Sequence, residues 1–229
     1  INHLIEKCKS LKLKNICVVL NKNNQEIKNS FSKEIKVVIQ KKQLGTADAI
    51  KTAKKIYHNK SNNILLLYAD VPLVKLSTLR KIINNSYKHP TLLTFYAKNP
   101  KGYGRVFMNG DKIKNVVEEK SASLNEKKNN LCNSGIFCAN SSVIFNLIKK
   151  IKINKTNKEL LLTDIFNLAF ISDKPFKKLL VNENEVMGIN NREQLAIAEE
   201  QYQITLKEKF YNKGVSFISP KTTFLSYDT

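Results

Sequence analysis

The first feature able to do chemistry is an apolar run that ends in an acid and is stopped by proline: Leu65-Leu66-Leu67-Tyr68-Ala69-Asp70-Val71-Pro72-Leu73. In open α/β sheets, ligands bind beyond the carboxyl ends of the strands, which is where this pattern puts Asp70. A carboxylate there can bind magnesium, an ion that keeps several waters and takes one or two protein oxygens beside substrate phosphates. Position alone leaves a second reading open, in which Asp70 caps the helix near Leu76 or fixes the turn before Pro72. A second segment, Gln40-Lys41-Lys42-Gln43-Leu44-Gly45-Thr46-Ala47-Asp48-Ala49, joins a strand end to a helix start through one glycine. Gly45 would let a ligand approach the backbone, and free amides at the helix start suit a base edge or a phosphate. A plain turn with Thr46 as N-cap is the commoner meaning of such a pair.

A third group is Gly102-Tyr103-Gly104-Arg105-Val106, followed by Val116-Val117-Glu118-Glu119-Lys120 and by Asn133-Ser134-Gly135. Two glycines around an aromatic can open a cleft to a sugar, with Glu118 and Asn133 offering an acceptor and an amide to hydroxyls. Each piece taken separately also reads as a hairpin with charged strand edges.

The elements that must position these residues alternate. Apolar runs at Ile16 to Leu20, Val37 to Ile39, Ile64 to Tyr68 and Leu92 to Tyr96 are separated by stretches of helical spacing. Ala49, Ile50, Ala53, Ile56 and Tyr57 form one helical face and Leu76, Leu79, Ile82 and Ile83 another, which predicts a mainly parallel sheet covered on both sides. Beyond Tyr96 shorter pieces, Val106 to Met108, Ile113 to Glu118 and Leu131 to Ala139, predict antiparallel strands that close over the sheet, with Asn109-Gly110 at a turn. Helices are expected at Ser141 to Ile151 and Glu159 to Ile171, a strand at Lys178 to Val181, and a helix from Asn191 to about Lys213. That last helix carries Leu195, Ala198, Tyr202, Leu206 and Phe210 on one side. Asn191 followed by Gln194 predicts a capping box at its start. The first residues already read as an amphipathic helix through Ile1, Leu4, Ile5 and Cys8.

Composition limits the function classes. The 229 residues carry 39 basic against 19 acidic side chains, a net charge of +20. The lysines are scattered singly or in pairs, with no basic run interleaved with aromatics, so they read as solvated charge rather than a nucleic-acid surface. The four cysteines, Cys8, Cys17, Cys132 and Cys138, have neither zinc nor redox spacing and read as small buried hydrophobes in a reducing cytoplasm. His3, His58 and His89 lack spaced acidic partners and read as surface or capping residues. No apolar stretch approaches the roughly 20 residues that span a bilayer.

In order along the chain, seven segments resemble one family, the bacterial N-acetylglucosamine-1-phosphate uridylyltransferases, usually the first half of a bifunctional enzyme. They are Gln40 with Gln43-Leu44-Gly45-Thr46, Leu67 to Leu73, Gly102-Tyr103-Gly104-Arg105, Val117-Glu118, Asn133-Ser134-Gly135, Leu162-Thr163-Asp164-Ile165, and Gly188-Ile189-Asn190-Asn191-Arg192-Glu193-Gln194-Leu195. The resemblance implies a Rossmann-like, mixed and mainly parallel sheet with helices on both faces and a small antiparallel section. It implies that UTP and N-acetylglucosamine 1-phosphate give UDP-N-acetylglucosamine, a precursor of peptidoglycan and lipopolysaccharide, and pyrophosphate.

By the same resemblance Gln40, Gly45 and Thr46 contact the uridine, and Tyr68, Ala69 and Asp70 line the junction of nucleotide and sugar. Gly104, Glu118 and Asn133 hold the N-acetylglucosamine, Thr163 joins the substrate-binding set, and Asp70 with Asn190 binds Mg2+. Asn191 is then the cap. Ala69 stands where the family commonly has glycine, Ala47-Asp48 where Gly-His is frequent, and Leu161 where some members have tyrosine.

Residues 1–213 are expected to be the transferase domain without the family's first strand and glycine-rich triphosphate loop. Residues 214–229, including Tyr227-Asp228-Thr229, resemble a linker toward a left-handed β-helix acetyltransferase domain, through which the full-length protein would trimerise. The chain alone is expected to transfer uridylyl groups poorly or not at all. A related transferase with another sugar or base is the nearest rival, and a basic nucleic-acid-binding protein the distant one.

Overall fold

A computed structural model describes residues 1–57, 62–154 and 158–226; His58 and the 227–229 end of the expected linker lie outside them. Eight strands and six helices follow in the order α1 (Asn2–Ser10), β1 (Cys17–Asn21), β2 (Lys36–Gln40), α2 (Thr46–Tyr57), β3 (Asn63–Leu66), α3 (Leu76–Ser86), β4 (Thr91–Tyr96), β5 (Arg105–Asn109), β6 (Lys112–Val117), β7 (Leu131–Asn140), α4 (Ser141–Ile148), α5 (Asp164–Ile171), β8 (Lys177–Leu180) and α6 (Arg192–Tyr211). The apolar runs and helical faces read from the sequence thus fall in the elements expected of them.

The strands form a mixed sheet in the order β3-β7-β4-β8-β6-β5 and a separate parallel pair, β1-β2. Parallel pairing is confined to β1 with β2 and β4 with β8, because β7 runs antiparallel between β3 and β4. The middle section therefore does not close over the sheet. Its longest strand enters the sheet, and the β5-β6 hairpin continues it at the edge.

Side-chain alternation along the two central strands creates two apolar layers, one on each face. Leu92, Phe137 and Ala139 face a core completed by α4 and α5 through Ile144, Leu147, Ile165 and Phe166. Leu93, Phe95, Ile136 and Cys138 face the opposite one, which Leu4 of α1 and Leu79 and Ile82 of α3 complete. Phe137, Phe166 and Phe176 meet edge to face, with centroids 4.9 to 6.0 Å apart. The cysteines behave as expected: all four are free thiols, Cys8, Cys132 and Cys138 are buried, and burial pushes Cys138 up to about 11. Among the described residues no helix is long and apolar enough to cross a membrane.

Between β1 and β3 lies a cleft of about 1010 Å³, lined by Ile5 and Cys8 of α1, Val18 and Val19 of β1, Ile50 and Ala53 of α2, and the length of β3. The Tyr57 hydroxyl donates to Asn15 O at 2.8 Å, holding the end of α2 against the start of β1.

Two segments differ from their sequence pattern. Residues 159–163 are expected to open a helix, but α5 starts only at Asp164. Leu160 instead donates its N–H to Leu44 O (2.6 Å) and accepts from Ala47 N (3.2 Å), so tertiary hydrogen bonds override the helical spacing. Helix α6 is capped by Asn191, whose Oδ1 accepts from Gln194 N (2.8 Å), while the return bond runs one residue earlier than in a capping box, from Asn190 N to Gln194 Oε1 (2.6 Å). Its apolar side is only partly covered: Ala198 is buried, while Leu195 is 47% exposed. Removing the Phe166 ring leaves a cavity where three rings meet, so Phe166→Ala should lower the unfolding free energy by about 3–5 kcal/mol. Urea titration followed by circular dichroism checks this as a lower midpoint at unchanged slope.

Candidate active site

The site is built on an irregularity in β7. Leu92 pairs with Phe137 and Thr94 with Asn133, so two steps along β4 are matched by four along β7. The two extra residues would break the ladder, and Ser134 mends it by donating its hydroxyl to Leu93 O (2.8 Å) and accepting from Ile136 N (3.1 Å). Asn133 Oδ1 accepts from Gly135 N (2.8 Å), which holds the bend on its other side. Gly135 sits at φ +79°, and a β-carbon there would come within 2.6 Å of Tyr68 Cε2. The Tyr68 ring packs where only a glycine leaves room for it.

Around that contact lie two of the three residues expected at the sugar, Glu118 and Asn133, together with Thr46, expected at the uridine, and Tyr68, expected at the junction. Thr46, Tyr68, Glu118, Asn133, Gly135 and Thr163 line one cavity of about 40 Å³. The Thr163 hydroxyl donates to Glu118 Oε1 at 2.9 Å, leaving Oε2 toward Gly104, where a β-carbon would stand 3.6 Å from it. Asn133 N donates to Gly104 O (2.9 Å). The Thr46 hydroxyl hydrogen-bonds Tyr68; burial first, and then the charge of Glu118, push the Tyr68 hydroxyl well above the usual tyrosine range, so it stays protonated. The cavity has room for about one water molecule, and its lining combines a carboxylate, an amide, hydroxyls and an aromatic ring, partners suited to a hydroxyl group.

A second pair lies beyond Tyr68. β3 ends at Leu66, and Asp70 follows in an exposed loop tied down by Lys7 Nζ on Pro72 O (2.6 Å) and Ile189 N on Asp70 O (2.9 Å). The loop that carries Asn190 is anchored by Thr78 Oγ1 on Glu185 Oε2 (2.6 Å) and by the backbone N–H of Gly188, which donates to the Tyr103 hydroxyl. A methyl group on Gly188 would stand 3.9 Å from Asp70 Oδ2 and 3.6 Å from Asn190 Nδ2, so the two side chains border one space.

The alternative roles of Asp70 are not used. Helix α3 begins after Lys75 with no side-chain cap, and the Asp70 carboxylate has no hydrogen bond or ion pair among the described residues. No group of three or more His, Cys, Asp or Glu residues is placed to hold a metal among them either. One carboxylate with one amide oxygen fits magnesium that takes its other ligands from phosphates and water, and it does not fit zinc, which wants four protein ligands or three and a water. Ala69 is exposed and not in the left-handed region, so this turn does not require the family's usual glycine.

Gln40 and Gly45 line neither cavity, although Gly45 directly precedes Thr46, which lines both. Gly45 is at φ +100°, and a β-carbon would meet Leu160 O at 2.7 Å, so the chain's own backbone occupies the space that the sequence offered to a ligand. The amide of Ala47 is likewise spent on Leu160. Residue order alone does not show that Tyr103 and Gly188 meet at the loop of Asn190, or that Gly135 seats Tyr68. A glycine inside the strand pattern 131–140 was the available signal for the last of these.

The nucleotidyl transferase family matches residues 1–205 of the chain, and the chain belongs to it. It is 36% identical over 231 residues to the bifunctional protein GlmU of Campylobacter fetus, covering 98% of this chain and 52% of that protein. It is 35% identical over 223 residues to the protein of the same name from Buchnera aphidicola, covering 96% and 48%. The chain thus spans about half the length of the curated relatives it matches. Among solved structures it resembles an apo UDP-glucose pyrophosphorylase, with a TM-score of 0.61, 14% identity, and 78% and 77% of the two chains covered, a likeness of fold.

The packing of Tyr68 on Gly135 makes a prediction. Gly135→Ala adds left-handed strain and displaces the ring, costing about 1–3 kcal/mol, whereas Tyr68→Phe keeps the ring. Chemical denaturation of the two variants should show a clear loss in the first and a smaller one in the second.

Proposed function

We propose that this chain is the uridylyltransferase part of a bifunctional enzyme, forming UDP-N-acetylglucosamine and pyrophosphate from UTP and N-acetylglucosamine 1-phosphate with Mg2+. The observation that supports this best is the meeting of Thr46, Tyr68, Glu118, Asn133 and Thr163 in one cavity, with Asp70 and Asn190 paired beyond Tyr68. Residues 1–213 form the transferase unit, and 214–229 a linker toward a β-helix domain through which the full-length protein trimerises. The four free thiols suit a reducing cytoplasm.

In the reaction a phosphate oxygen of the sugar 1-phosphate attacks the α-phosphorus of UTP. One P–O bond forms as the bond to pyrophosphate breaks. The attacking oxygen is already ionised, so no protein base or nucleophile is needed. Asp70 and Asn190 would hold the ion, which when bound offsets the repulsion between the two anionic reactants. Glu118, kept in place by Thr163, accepts from sugar hydroxyls, and the Asn133 amide donates beside it. Tyr68, protonated and wedged on Gly135, fixes the position of the junction between sugar and phosphate.

Pyrophosphate release from UTP and N-acetylglucosamine 1-phosphate is the test of turnover, made on the full-length protein because the chain alone is expected to transfer poorly; binding is read on the chain itself as the melting temperature with magnesium and UDP-N-acetylglucosamine at about one hundred times the dissociation constant. The ligands should raise the melting temperature by about 5–10 °C. Asp70→Ala should lower turnover about a hundredfold or more and remove the magnesium-dependent part of the shift, without changing the melting of the free chain. Undiminished turnover in that variant would refute the metal role. Replacing UTP by dTTP, or the sugar phosphate by glucose 1-phosphate, separates the related transferases.

A further inference from the structure

Gln40 ends β2 and is 9% exposed. Its Nε2 donates to Gly45 O (3.1 Å) and to Asp48 Oδ2 (2.9 Å). A side-chain amide has two N–H donors, and both are spent. The two partners are a carbonyl and a carboxylate, which can only accept, so turning the amide over would set its carbonyl oxygen against two acceptors. Gly45 O cannot move aside, because Gly45 is held at φ +100° against Leu160. Asp48 lies in the first turn of α2, where the helix dipole favours its negative charge. Among the described residues, the side-chain atom of Gln40 left without a partner is therefore its carbonyl oxygen Oε1.

We propose that Asp48 is a positioning residue for base selection: it fixes the Gln40 amide so that the site presents a hydrogen-bond acceptor, and not a donor, to the nucleobase. This rests on the reading of Gln40 as the residue that meets the base. An acceptor suits the ring N–H of uracil and opposes the bare ring nitrogen of cytosine at the same place. Asp48 is also one of the positions at which this chain departs from the family pattern, so the device belongs to this sequence. Asp48 acts through Gln40 and touches no substrate.

Two measurements on the whole chain test the proposal. The first needs no ligand: the side-chain amide protons of Gln40, followed by NMR, should be slow to exchange in the wild type and should lose that protection at least tenfold in Asp48→Asn, whose amide can accept or donate. The second is equilibrium binding of UTP and CTP with magnesium. The wild type should favour UTP at least tenfold, Asp48→Asn should reduce that ratio fivefold or more, and the same change in a Gln40→Ala background should leave the ratio where Gln40→Ala put it. A merely structural role would weaken both nucleotides equally. That result, or unchanged Gln40 protons in Asp48→Asn, overturns the proposal. Protected Gln40 protons in a wild type that binds neither nucleotide would instead overturn the nucleotide-site reading, and base selection with it.

Discussion

Everything in the candidate site depends on the interruption of the β4-β7 ladder at Asn133 to Ile136. A regular strand would point alternate side chains to opposite faces and pair every backbone group. Here β7 carries two residues more than β4, and the hydroxyl of Ser134 takes over the hydrogen bonding that the ladder gives up. The interruption frees the Asn133 amide toward the cavity and puts Gly135 under the Tyr68 ring. Because β7 also pairs with β3 and β5, one irregular strand joins the loop of Asp70 to the strand end of Gly104. The antiparallel placement of β7 and the position of the site are one fact.

The two cores hold this arrangement at a fixed level. Alternate residues of β4 and β7 are buried on opposite faces, so neither strand can slip by one residue without turning both sets of side chains into the wrong layer. The loops that carry Asp70 and Asn190 depend less on burial than on particular bonds. Lys7, Glu185, Tyr103 and the backbone of Ile189 each tie one of them down. Exposed carboxylate and amide groups held by a stiff backbone suit a metal ligand set that is completed by substrate.

Much of this was legible in the sequence. Apolar periodicity located the strands and helices, and the Asn191 and Gln194 pair announced the cap found at α6. The ordered motifs brought Thr46, Tyr68, Glu118, Asn133 and Thr163 into one set, which the fold makes a single cavity. What was not legible depends on contacts between distant segments. Leu160 leaves its helical pattern because Leu44 and Ala47 compete for its backbone, and the same contact fills the space that Gly45 offered. Direction and order of strands are set by layer packing, which short apolar runs do not encode, so β7 could not be seen to run between β3 and β4. The tie between Gln40 and Asp48 needs the turn at Gly45, and spacing alone gives no sign of it.

We propose that Asp70 and Asn190 jointly hold a divalent ion beside a sugar nucleotide. Paramagnetic broadening by Mn2+ in place of Mg2+, recorded residue by residue with UDP-N-acetylglucosamine bound, reads this directly. The resonances of Asp70, Gly188 and Asn190 should broaden first and those of Tyr68 next, with Phe166 and α6 beyond its first turn unaffected. Broadening that is strongest elsewhere, or that leaves Asn190 sharp while Asp70 disappears, would contradict the shared site.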